Sequence, residues 1–208
     1  MKIKTRDRIL DASLSLFNAV GEPNVTTLLI SDELDISPGN LYYHFKSKGD
    51  IVSEIFGVFE HELLDLLLVP EDAEVSLDQL GFLLHLMFET IARYRFIYQD
   101  LVNILSRYET LQKHFHKLLR KKEGAFRTLC ESLRRQGALK ITPQELDALC
   151  EQLTLTICYW LSYDSLAQLG DRDSANPGRG VYQMMNLLAP YLIEEERLQI
   201  LALGETYL

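Results

Sequence analysis

The chain has 208 residues, 47% of them hydrophobic and 25% charged, which excludes a disordered chain and leaves ample material for a buried core. Only 11 glycines and 6 prolines argue against a turn-rich β architecture, and no stretch approaches the ~18 uninterrupted apolar residues of a membrane span. The net charge is −9, with residues 1–50 near neutral at −1 and the remainder at −8, so a strong basic footprint for nucleic acid is absent. Cys130, Cys150 and Cys158 form no CxxC pair, and residues 1–8 carry charge where a secretory signal needs an apolar run. These features lead to the expectation of a cytoplasmic globular protein without a disulfide framework, metal site or cofactor.

Helical periodicity runs almost from end to end, so the expected fold is all-α: a three-helix head over residues 1–48 and a larger helical body over 49–208. Ile9, Leu10, Ala12, Leu16, Phe17 and Val20 share one face of a first helix that Gly21 and Pro23 stop. Thr26 and Thr27 offer N-cap hydroxyls to a short helix from Leu28 to Leu34, and Ser37-Pro38 is an N-cap and N1 pair opening another through Phe45. Only Asp35 and Ile36 lie between them, the spacing of a helix-turn-helix. Ser47 and Asp50 form a variant capping box for a fourth helix, whose Ile51, Ile55, Phe59 and Leu63 run towards Pro70. After an acidic loop at Glu71, Asp72 and Glu74, helices are expected near 76–94, 97–106, 109–136, 143–168 and 180–193. Leu169 to Gly180 reads as the longest loop, and Pro190 as a kink or stop in the last helix.

The helix opening at Ser37 carries the chemistry. Laid in a major groove, Ser37 and Pro38 begin it, Gly39 permits close backbone approach, and the Asn40 amide can pair with adenine N6 and N7. Tyr42, Tyr43 and His44 reach phosphates or base edges. Thr27 sits at a helix N-terminus able to hold a phosphate, and Lys46 and Lys48 flank the site as further phosphate contacts. Leu41 and Phe45 turn inward. The same string also fits a surface αα-hairpin whose tyrosines and lysines merely cover a core.

Taken whole, Thr26-Thr27 followed by a tight turn and Ser37-Pro38-Gly39-Asn40-Leu41-Tyr42-Tyr43-His44-Phe45-Lys46-Ser47-Lys48 resembles the signature of TetR/AcrR-family transcriptional regulators. Asp35 stands where that family usually has a turn glycine, and Asp tolerates the left-handed region. Ser31 replaces a small alanine, and Gly49 a common acidic residue. Arg6-Asp7-Arg8-Ile9-Leu10, Gly21-Glu22-Pro23-Asn24-Val25, Tyr94-Arg95-Phe96, Gln99-Asp100-Leu101 and Leu188-Ala189-Pro190 are further similar to the PhaD-type regulators of polyhydroxyalkanoate gene clusters.

The resemblance implies a homodimeric, DNA-binding regulator, most often a repressor, that reads a pseudo-palindromic double-stranded operator and answers a small hydrophobic effector, here a fatty-acid or acyl-CoA derivative. It implies a body that binds ligand and dimerises. Aromatic residues with polar tips are the natural pocket candidates (His85, Tyr94, Tyr98, Tyr108, Tyr159), with Phe56, Phe59, Phe82 and Phe88 as walls. For the dimer seam, helices apolar on several faces supply Trp160, Tyr163, Val181, Met184, Met185, Leu188, Tyr191 and Leu192. A transcriptional activator of the same fold is one alternative; an all-α ligand-binding protein or enzyme with a structural helix-turn-helix is another.

Eight basic residues lie between Lys113 and Arg135 (Lys113, Lys117, Arg120, Lys121, Lys122, Arg127, Arg134 and Arg135), a possible acyl-CoA phosphate patch or second DNA patch. The stripe of Leu111, Phe115, Leu118, Leu119, Phe126, Leu129 and Leu133 sends most of them to an opposite, solvated face instead. His61/Asp65 and His85/Glu89 are single i,i+4 pairs and make no metal site. No nucleophile elbow, phosphate loop or zinc motif is present, so nothing in the sequence supports an enzyme.

Overall fold

The computed structural model describes residues 4–168 and 176–208. They form eleven α-helices: α1 (Thr5–Val20), α2 (Thr27–Glu33), α3 (Pro38–His44), α4 (Lys48–Leu66), α5 (Leu77–Arg93), α6 (Arg95–Gln99), α7 (Leu101–Arg107), α8 (Glu109–Arg135), α9 (Pro143–Ala167), α10 (Pro177–Leu188) and α11 (Glu194–Glu205). Among the described residues there is no strand, only an isolated bridge between Leu139 and Leu192. Among the described residues, no helix is long and apolar enough to cross a membrane.

Local chemistry sets the helix starts. Side-chain oxygens of Thr26, Ser37, Ser47, Ser76 and Thr142 each accept a backbone N–H in the first turn of the helix they precede. Ser47 with Asp50, Ser76 with Gln79 and Thr142 with Glu145 complete reciprocal capping boxes. Asp35 adopts φ 51°, the left-handed turn conformation expected between α2 and α3. Gly137, at φ 77°, closes α8.

The head is α1–α3 against the start of α4. Ile9, Phe17, Ile30, Leu41, Phe45 and Ile51 are buried, so Leu41 and Phe45 face inward as the sequence reading required. The body packs α5, α8, α9, α10 and α11 around an apolar core. At Gly180, a Cβ would stand 2.4 Å from Phe88 Cε1 and 2.8 Å from Trp160 Cδ1, so only glycine lets α10 approach α5 and α9 this closely.

Several expectations are corrected. The helix expected near 97–106 is two shorter ones, α6 and α7, turned at Asp100. The helix expected over 180–193 begins earlier, at Pro177, and Pro190 ends it in a 3-10 turn (Ala189–Tyr191). A further helix, α11, was not foreseen, because its acidic first turn and two buried residues, Ile200 and Gly204, give little apolar periodicity. Of the long loop expected at Leu169 to Gly180, residues 169–175 lie outside the described residues, and 177–180 are helical.

Candidate nucleic-acid interface

The helix-turn-helix presents one polar face to solvent. Ser37, Pro38, Gly39, Asn40, Tyr42 and Tyr43 are exposed along α3, with Tyr43 at 79%, and His44 is half-buried with its ring edge-on to Tyr43. The hydroxyls of Thr27 and Tyr42 lie 2.9 Å apart, tying the start of α2 to the middle of α3. Lys46 is exposed beyond the end of α3. Asn40, Tyr43 and Lys46 therefore project from a rigid two-helix platform whose far side is core.

Lys48 behaves differently from the phosphate contact expected of it. Its ammonium lies 2.9 Å from the Glu22 carbonyl, 2.9 Å from the Val25 carbonyl and 2.8 Å from a Glu22 carboxylate oxygen. Those three acceptors use all three N–H donors. Lys48 is thus a positioning residue that holds the 3-10 turn Glu22–Asn24 against the start of α4.

The Glu22 side chain is fully buried. Besides Lys48 it accepts from the Arg107 guanidinium, with which it pairs, and from the Tyr108 hydroxyl at 2.7 Å. Burial and this carboxylate push the Tyr108 phenol well above its usual range, so it remains a donor. Tyr108, expected in the pocket, instead belongs to this joint. A second joint lies alongside: Asn18 donates to the Arg93 carbonyl at 2.8 Å and accepts from the Phe96 N–H at 3.0 Å, beside Phe17, whose ring packs tilted against Phe96 with centroids 5.2 Å apart. Head and body are therefore fastened through buried polar groups at two places, both reaching the α6–α7 segment. Nothing in the sequence marks Asn18, and Glu22 stands there only within the segment Gly21-Glu22-Pro23-Asn24-Val25, without sign of a role at this joint.

In the body, four of the expected pocket residues meet. Phe59 packs against Phe56, Tyr94 and Tyr98 with centroids 5.5–5.7 Å apart, and Tyr98 continues to Phe115 at 6.0 Å. Tyr94 donates to Glu62 at 3.0 Å, and burial with this carboxylate raises its phenol to about 12. The other candidates lie elsewhere. Phe82 is 59% exposed, His85 packs on Tyr207, Phe88 lies under Gly180, and Tyr159 faces outward.

The seam residues also divide. Val181, Met184, Met185 and Leu188 are within the protomer's own core, and Leu192 is buried too, since α10 is covered by α5, α9 and α11. Tyr191 is half-buried against that core. The exposed apolar face lies on α9, where Leu155 is 58%, Tyr163 61% and Leu166 78% exposed. Trp160 stacks on Tyr163 at 5.4 Å, and with Arg179, Gln183 and Leu187 these residues line an open groove of about 400 Å³.

Two family models match. One, described as bacterial regulatory proteins of the tetR family, covers residues 9–55; the other, TetR, described as a bacterial transcriptional repressor, covers residues 58–200. The chain belongs to the TetR family. Such a protein is a transcriptional regulator rather than an enzyme. Among TetR-family relatives, the chain is 31% identical over 97 residues to IcaR of Staphylococcus epidermidis, the negative regulator of a biofilm operon, covering 46% of this chain and 52% of IcaR. It is 35% identical over 63 residues to AcrR of Shigella flexneri, covering 30% and 29%. The chain thus spans about half, or less, of the length of these relatives. A TetR-family regulator from Marinobacter aquaeolei VT8 superposes with a TM-score of 0.87 at 35% identity over 99% of both chains. SmeT, the repressor of a Stenotrophomonas maltophilia multidrug efflux pump, shares the fold at 18% identity, with a TM-score of 0.63 over 93% of each chain.

Proposed function

We propose that this TetR-family protein is a homodimeric repressor whose two α3 helices enter successive major grooves of a pseudo-palindromic operator. The observation that carries this reading is the two-sided character of α3: Leu41 and Phe45 anchor it in the core while Asn40, Tyr42 and Tyr43 face outward from a capped, glycine-opened first turn. Half-sites then lie roughly 34–36 Å apart, one helical turn of DNA. Asn40 reads a base edge, and Thr27, Tyr42, Tyr43, His44 and Lys46 contact the backbone around it.

The second protomer covers the α9 face. An exposed apolar patch of Leu155, Tyr159, Tyr163 and Leu166 on one long helix is the kind of surface that a two-fold axis buries against its own copy. A small hydrophobic effector, of the fatty-acid-derived class, enters the aromatic body and displaces α4, changing the spacing of the two heads. The usual allosteric scale of about 1–3 kcal/mol weakens operator binding roughly 5- to 150-fold. The test is selection of DNA from a random pool by the full-length protein at about 150 mM salt, where non-specific contacts are screened. Enrichment of a palindrome bound by two protomers, or a multiple of two, supports the reading; equal, weak binding to all sequences overturns it.

A further inference from the structure

Among the basic residues of α8, Lys122 has no solvent exposure at all. Its ammonium donates to the Tyr98 hydroxyl at 2.7 Å and to Cys158 Sγ at 3.3 Å, and it lies 4.8 Å above the Tyr98 ring and 5.3 Å above the Phe115 ring. No carboxylate pairs with it among the described residues, whereas the two other buried charges described, Glu22 and Asp164, are each met by an opposite charge. The partners do not offset the charge. Burial raises the Tyr98 phenol well above its usual range, so it stays protonated, and a thiol sulfur is a weak acceptor. Among the described residues, the hydrogen bonds of Lys122, Tyr98 and Cys158 side chains are made only within the trio. An amine, a phenol and a thiol, all able to donate, converge there, and a bare cation in such surroundings destabilises the fold.

We propose that Lys122 is the anion-binding residue of an internal effector site between α6, α8 and α9, which takes an amphiphile with one carboxylate head and an apolar tail. A carboxylate supplies what the trio lacks, a negative charge and two acceptor oxygens, one for the Lys122 ammonium and one for the Tyr98 hydroxyl. Burial disfavours the unpaired Lys122 ammonium, and an acid bound as its carboxylate relieves that cost by forming a carboxylate–ammonium pair. The surroundings suit an apolar tail. Phe59 and Phe115 wall the trio, and Phe126, one turn along α8 on the same face, borders a small enclosed void lined by Leu80, Leu84 and Leu153. The void is too small for a chain as it stands, so the tail site opens as ligand enters. An acyl-CoA is disfavoured, because a thioester brings no charge to Lys122 and its large polar carrier does not fit a closed core.

The site is also connected to the head. Tyr98 lies on α6, two residues beyond Phe96, whose N–H is held by Asn18 of α1, and the Tyr98 carbonyl accepts from Ser162 of α9 at 2.7 Å. Pulling Tyr98 towards a carboxylate therefore strains the joint that fastens α1.

This inference rests on the reading of the chain as an effector-responsive regulator, and the experiment separates the two. Titration calorimetry of the full-length protein uses linear acids from butanoic to hexadecanoic acid, benzoic acid and the matched alcohols, while the random-pool selection is run on the same preparation. The expected result is one acid bound per protomer, about tenfold or more tighter than its alcohol, with that preference lost in Lys122→Met. Circular dichroism checks that the variant folds; if it does not, the acid-to-alcohol ratio of the wild type decides alone. Acid and alcohol binding alike, or no acid binding while DNA is selected, overturns the Lys122 site and leaves the regulator reading standing. Failure to select DNA overturns the regulator reading.

Discussion

Glu22 at the head–body junction and Lys122 in the body are both wholly removed from solvent, yet their surroundings are opposites. Glu22 is met by Lys48, Arg107 and Tyr108, two cations and a hydroxyl drawn from the start of α4 and the end of α7. Lys122 is met by a phenol, a thiol and two aromatic faces. A buried charge whose partners all come from the chain is a joint: it fixes the angle between parts of the fold. A buried charge left without a counter-charge is an unfinished site, and the fold bears its cost continuously. In this molecule the α6–α7 segment runs from one to the other, so the two regions are linked by about a dozen residues of chain.

The largest effect expected is at the joint. Glu22→Ala strands Lys48 and Arg107, and because both cations are partly exposed the loss falls towards the lower end of the buried-pair scale, about 3 kcal/mol, read as a shift in the urea midpoint. An unchanged midpoint would mean that Glu22 only occupies space. The opposite sign is expected for Lys122→Met. Replacing an uncompensated buried cation by an apolar side chain of similar length stabilises the protein by about 1–3 kcal/mol, measured by the same denaturation. A destabilised Lys122→Met would show that the trio is a satisfied polar network.

Gly180→Ala sharpens the comparison from the packing side. The added methyl meets Phe88 and Trp160 at sub-contact distances, and the overpacking cost is about 1–3 kcal/mol in thermal or urea unfolding. In the head, Asn40→Ala is expected to leave folding intact and relax base preference at one operator position by about 1–3 kcal/mol, visible as lost discrimination in the selected sequences. Equal weakening on every sequence would reassign Asn40 to the phosphates. The smallest effect is Tyr42→Phe, which removes one hydroxyl from the exposed bond to Thr27 and costs about 0.5–1.5 kcal/mol in unfolding.

The same contrast explains what was legible in the sequence. The exposed face of α3 was, because its caps, its turn at Asp35 and its exposed side chains are contiguous and each has a local cause. The joints were not: Asn18 and Glu22 bind body residues 75 to 86 positions away, and nothing near them in sequence announces it. Lys48 was misassigned for the same reason, since its acceptors come from a turn more than twenty positions earlier. For Lys122 a signal did exist. Leu111, Phe115, Leu118, Phe126 and Leu129 leave one gap in a 3-4 stripe, and Lys122 fills it, four positions after Leu118 and four before Phe126. The other basic residues of that helix are not on the stripe, which makes Lys122 the exception among the eight. On α10, all-round apolarity suggested a seam, whereas packing of α11 over it buries the same residues within one protomer.

Operator affinity of the full-length protein, measured by fluorescence anisotropy at about 150 mM salt with and without a saturating carboxylic acid, tests the link between the two regions most directly. The expected result is nanomolar-range binding to a selected palindrome by pairs of protomers, weakened about 5- to 150-fold by the acid and left unmoved by the matched alcohol at the same concentration. An operator affinity that stays the same with the acid stoichiometrically bound would contradict it.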